Sequence, residues 1–136
     1  MNRLLELIAK SDVCHKENAL KSVDIIRTQK DLVKMGCPFL PVEFIDFLKH
    51  YNGVSASDCA ILGVPPLEDD RLNIVEFNKQ YNSSTNMAIL GYDDSAFLVY
   101  DNNENLYKLL DRADLVLLDE YAPDEIVYAL NSILHI

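Results

Sequence analysis

The chain has 136 residues, 49% of them apolar, and a formal net charge of −10. That is the size of one domain, and a chain of this length buries roughly two-thirds of its unfolded surface, so its core needs no disulfide or metal to hold it. The excess negative charge disfavours binding to nucleic acid or anionic lipid, since an acidic field repels phosphate and attracts basic surfaces.

Leu4, Leu5, Leu7 and Ile8 predict a short opening helix. Glu6 and Lys10 interrupt this stretch, so it is not the apolar core of a secretory signal, and no apolar run approaches the ~20 residues that span a bilayer. From about Lys16, the residues Leu20, Val23, Ile26, Leu32, Val33 and Met35 keep an approximate helical period, which Gly36 ends as a left-handed C′ residue. Pro41 suits the first turn of a third helix, whose apolar face is Phe44, Ile45, Leu48 and Tyr51, with Glu43, Asp46 and Lys49 pointing away. Asn52-Gly53 stops it.

Beyond Gly53 the pattern changes. Ala60 to Val64 reads as a short buried strand closed by Pro65-Pro66, and the residues from about Leu72 to Tyr81 as a short helix. Met87 to Arg112 contains three apolar runs at hairpin spacing, a three-stranded meander. Its middle run, Ala96 to Tyr100, is apolar on both faces and therefore belongs in a central strand. Leu115 to Leu118 adds a further strand, and Pro123 opens a last helix carrying Ile126, Leu130, Ile133 and Leu134. Helices, then strands, then a helix predict a single α+β domain with a mainly antiparallel, twisted sheet and helices packed against it.

The chemistry-bearing residues are sparse. Cys14, Cys37 and Cys59 form no C-x-x-C pair and have no His at ligand spacing, which fits a reducing compartment and a soluble, cytoplasmic protein. His15, His50 and His135 are scattered, and Cys14-His15 is a poor nucleophile–base pair if it lies on a helix, where neighbours point about 100° apart. Asp101 to Asn105 places oxygen ligands at three alternate positions, but Leu106 stands where a calcium loop needs glycine and Arg112 where it needs glutamate, so the run reads as a polar hairpin turn. Four dispersed glycines cannot cradle a phosphate. No metal, cofactor or catalytic constellation is predicted, and the chain is read as a non-enzyme.

Two dense acidic groups remain, Glu68-Asp69-Asp70 and Asp93-Asp94, the second preceded by Tyr92. Adjacent carboxylates in a turn usually diverge into water, so general acid–base work is the weakest reading, and solvated loops and a partner-facing surface are the stronger ones. Each of the seven tyrosines pairs a buried ring with a polar tip, which serves a core edge or an interface alike.

The ordered set Leu40-Pro41, Glu43, Phe47-Leu48 and Asn52-Gly53, followed by Ile61-Leu62-Gly63-Val64 and then strands with a polar turn and Tyr-Asp, resembles the SUKH superfamily over residues 20–134. That group contains bacterial toxin-immunity proteins and the fungal regulator of cell-wall glucan synthesis. The resemblance implies a non-catalytic α+β domain that binds a protein, in bacterial members a toxin that is frequently a nuclease. The alternative it implies is a regulatory or adaptor role in cell-wall control. Charge adds a mechanism: residues 51–136 carry four Lys/Arg against fifteen Asp/Glu, a balance of −11. A nuclease exposes basic groups that such a surface can cover. Glu68, Asp69, Asp70, Tyr92, Asp93 and Asp94 are accordingly the expected contacts to a basic partner.

Overall fold

In the computed structural model, which describes residues 1–135, seven strands form one antiparallel sheet in simple sequence order, β1 to β7. The elements run α1 (Asn2–Lys10), β1 (Cys14–Lys16), α2 (Ser22–Lys34), α3 (Val42–Leu48), β2 (Val54–Ala56) and β3 (Cys59–Ile61). They continue with a short 3₁₀ turn at Asp70–Leu72, α4 (Ile74–Tyr81), β4 (Met87–Tyr92), β5 (Ala96–Asp101), β6 (Leu106–Asp111), β7 (Leu117–Tyr121), a second 3₁₀ turn and α5 (Ile126–Leu134). The α+β class and the meander are as the sequence predicts. β5 lies between β4 and β6 with every residue buried, the central position its two apolar faces require.

The helices cover both faces of the sheet. Phe97 meets Phe77 of α4 edge-on at 6.0 Å, so Phe97, and by alternation Val99, look toward α4. Tyr100 looks the other way, as does Tyr107 opposite it on β6. The Tyr107 hydroxyl reaches Glu43 of α3, and Tyr121, paired to Tyr107, lies beside Ser132 of α5. α3 and α5 therefore share the face opposite α4. No helix among the described residues is long and apolar enough to cross a membrane.

Three local expectations need correction. Residues 14–20 are not helical: β1 pairs with β2, Glu17 N–H donates to the Gly53 carbonyl and Leu20 N–H to that of Leu48, which holds the segment extended until Ser22. The face of α2 that looks inward carries Thr28 and Leu32, while Val23, Ile26 and Val33 are exposed, Ile26 by 61%. β7 begins two residues later than Leu115, which sits at φ +62 in the preceding turn and donates its N–H to Asp111. β1 and β2 carry no sequence signal because three residues are too few to display a period of two.

The punctuation of the chain is as its residue types dictate. Gly36 and Gly53 adopt φ +88 and +108, where a Cβ is strained. Pro41 caps α3, its carbonyl accepting from Phe44 and Ile45, and Asn73 caps α4 by accepting from Val75 and Glu76. The turn after Asp101 is the polar hairpin its residues predict, with Lys108 Nζ at 2.9 Å from Asp101 and 2.6 Å from Glu104.

Candidate protein-binding surface

A meander in sequence order returns at alternate ends of its sheet, so the turns β2–β3, β4–β5 and β6–β7 share one end. β1 also enters there, since Cys14 pairs with Ala56, and α5 finishes there, since His135 Nε2 lies 3.0 Å from Asp93. The topology thereby collects Asp12, Asp58, Asp93, Asp94, Asp111 and Asp114 at a single edge of the molecule. Only Asp93 and Asp94 of these six are expected from sequence, because the others are isolated acids in separate turns. The carbonyl end of α5 points the negative pole of its dipole into the same region.

Two basic side chains at this end, Arg112 and His135, are already engaged. Arg112 Nη1 donates to the Asp93 carbonyl at 2.8 Å, and its guanidinium stands 4.8 Å from the Phe97 ring centroid and 5.5 Å from that of Tyr92. His135 is spent on Asp93. The carboxylates of Asp58 and Asp94 make no hydrogen bond among the described residues and are exposed. The end thus presents uncompensated negative charge.

The six expected residues divide by what they already do. Asp93 is 8% exposed, and its Oδ1 accepts from Ser95 N–H at 2.9 Å, Ala96 N–H at 2.7 Å and the Ser95 hydroxyl. Burial pushes its carboxyl up, but those donors and His135 outweigh burial and hold it below the usual carboxylate range. Asp93 builds the β4–β5 turn and aims Asp94 outward. Asp69 is clasped by Arg71 through Nε at 3.0 Å and Nη2 at 2.9 Å, while Glu68 and Asp70 are exposed. Tyr92 is half-buried in an aromatic cluster, stacked on Phe77 at 4.7 Å and 7°.

Tyr92 ends β4 immediately before Asp93 and Asp94. Burial raises the pKa of its hydroxyl, and Arg71, Arg112 and Asp69 all lie near enough to act on it. The Glu68–Asp70 loop comes within electrostatic reach of Tyr92 through Asp69 and Arg71, while its Glu68 end is held by Glu17 just past β1. Glu68, Asp70 and Asp94 are the members with carboxylates facing solvent.

A second surface is absent from the sequence expectations. Ile25, Ile26, Gln29, Lys30, Phe39 and Ile45 line an apolar groove between α2 and α3, with Phe39 65% exposed. The signal was available in α2, which carries apolar residues around more of its circumference than one buried face uses. No protein-family model matches the chain, and no match is found among curated proteins.

Proposed function

We propose that this chain is a non-catalytic, SUKH-like protein-binding domain of the immunity type, which acts in the cytoplasm and covers the basic surface of a toxin domain, a nuclease being the class whose phosphate site most needs such a surface. The observation that carries the reading is the acidic end of the sheet, where Asp58, Asp94 and Asp114 are exposed and Arg112 and His135 are both engaged by Asp93. Negative potential focused there accelerates encounter with a basic partner and fixes its orientation. The three free thiols support a reducing compartment.

The test is affinity for a toxin encoded beside this chain, measured at two salt concentrations, in the wild type and in a variant carrying Asp58→Asn, Asp70→Asn and Asp94→Asn. Slower association and a flatter salt dependence are expected in the variant. Equal affinity and equal salt dependence would remove the acidic surface from the mechanism.

A regulatory or adaptor protein in cell-wall control is the second reading, and the α2–α3 groove favours it. An adaptor joins two partners and needs two surfaces, one of which can be apolar. Affinity capture with Phe39→Ser beside wild type separates the readings: loss of the main partner through Phe39 supports the adaptor, and loss only through the acidic variant supports immunity.

A further inference from the structure

His15 and Glu17 stand two residues apart where β1 ends, so strand alternation places both side chains on one face. Glu17 is 4% exposed. Its Oε1 accepts from Glu68 N–H at 2.8 Å and its Oε2 from Asp69 N–H at 3.1 Å, which ties the loop after Pro66 to the sheet edge. Oε2 also meets His15 Nε2 in a close contact.

A loop tether requires only the N–H groups of Glu68 and Asp69. Glu68 nonetheless brings its own carboxylate back to the same place: one ligand atom from each of His15, Glu17 and Glu68 lies within 4.8 Å of the others. Two carboxylates held that close to one imidazole repel unless positive charge stands between them. The cleft beside them, lined by Asn18, Lys21, Asp24 and Asn52, leaves room for water on the open side.

We propose that His15, Glu17 and Glu68 form a binding site for a divalent transition-metal ion of the zinc class, with water completing the coordination. One imidazole and two carboxylates suit zinc, cobalt or nickel, whereas calcium and magnesium take oxygen ligands alone. Donors at ~2.1 Å from a tetrahedral ion are about 3.4 Å apart. The exposed Glu68 side chain closes to that spacing by a small swing, and the ion takes the place of the direct contact between His15 and Glu17. The ion would pin the 66–70 loop to β1. The site lies outside sequence reach because 51 residues separate Glu17 from Glu68. It does not depend on the protein-binding reading, since no partner takes part.

Calorimetric titration of the full chain with Zn²⁺ alone is the test, with Co²⁺ as a spectroscopic substitute. Expected are one ion per chain, protons released on binding, and tighter binding above about pH 7 than below about pH 6. Glu68→Ala, which keeps the backbone tether and the fold, should bind about tenfold or more weakly, as should His15→Ala, because losing a direct ligand costs at least what losing a supporting group does. His50→Ala and His135→Ala should bind as wild type. Absence of binding, equal affinity in Glu68→Ala and His15→Ala, an equal preference for Mg²⁺, or a cobalt–thiolate band from Cys14 or Cys59 would each overturn the site.

Discussion

Asn52 brackets Val64 from both sides of its peptide: Nδ2 donates to the Val64 carbonyl at 2.7 Å, and Oδ1 accepts from the Val64 N–H at 2.8 Å. The side-chain amide takes the place of a neighbouring strand where β3 has ended. Asn78 does the same for Ile89 at the irregularity in β4, at 2.9 Å and 2.8 Å.

Because Val64 is fully buried, Asn52→Ala leaves two backbone groups without partners, at about 1–3 kcal/mol each. Urea unfolding should show a loss of roughly 2–6 kcal/mol. Gly63→Ala should be worse still, since an added Cβ would stand 2.2 Å from the Asn52 carbonyl oxygen. A loss below about 0.5 kcal/mol for Asn52→Ala, the scale of an ordinary surface change, would show that the bracket contributes nothing.

Tyr107 is fully buried on β6 and donates its hydroxyl to Glu43 Oε1 at 2.9 Å. Tyr107→Phe should cost about 1.5–3 kcal/mol, the range for a hydrogen bond to a charged group. Burial first, and then the Glu43 charge, push the Tyr107 hydroxyl far above its ordinary range. The folded chain resists ionisation while the unfolded chain ionises near pH 10, so the stabilisation is complete below about pH 10 and is lost as pH rises further. Alkaline denaturation should therefore be steeper in wild type than in Tyr107→Phe, and equal slopes would contradict the assignment.

Much of the scaffold was legible because its signals are local. Gly36, Pro41, Gly53 and Pro123 punctuate through backbone chemistry that needs no tertiary information. The interior of β5 was legible for the same reason: five consecutive apolar residues, Ala96 to Tyr100, leave one possible place in a sheet. The site was legible only in part. Asp93 and Asp94 look equivalent in sequence, yet one accepts from three donors within the turn and the other faces water, a difference set by backbone geometry alone. Asp58, Asp111 and Asp114 join them only because the strand order brings alternate turns to one end. The helical period through Val23, Ile26 and Val33 was real, but periodicity identifies an apolar face without saying whether anything covers it.

Asp93 should make the β4–β5 turn sensitive to acid. Its folded pKa lies below the value near 3.9 expected when unfolded, so its contribution is complete above about pH 5 and is lost as pH falls through the folded value. Asp93→Asn keeps an amide oxygen for Ser95 and Ala96 but removes the titration and the charge opposite His135. The stability difference between wild type and Asp93→Asn, followed by thermal unfolding, should be present at about pH 5 and shrink below about pH 4. A difference unchanged down to about pH 2.5 would exclude the charged form as the stabilising one.

The exposed acids at the same end should behave in the opposite way. The side chains of Asp58 and Asp94 make no hydrogen bond among the described residues, and they lie at the end of the sheet that also carries Asp111, Asp114 and the carbonyl end of α5, all of like sign. Neutralising them removes repulsion without removing a bond, so Asp58→Asn/Asp94→Asn should melt at or above the wild-type temperature, a gain of up to about 1 kcal/mol. Added salt should stabilise wild type more than the double variant, because screening relieves only a repulsion that is present. If the double variant instead melted below wild type, the two carboxylates would be part of the scaffold and could not be a surface held ready for a partner. Charge kept at a cost to stability, with no internal use, is what a binding surface for a basic protein requires.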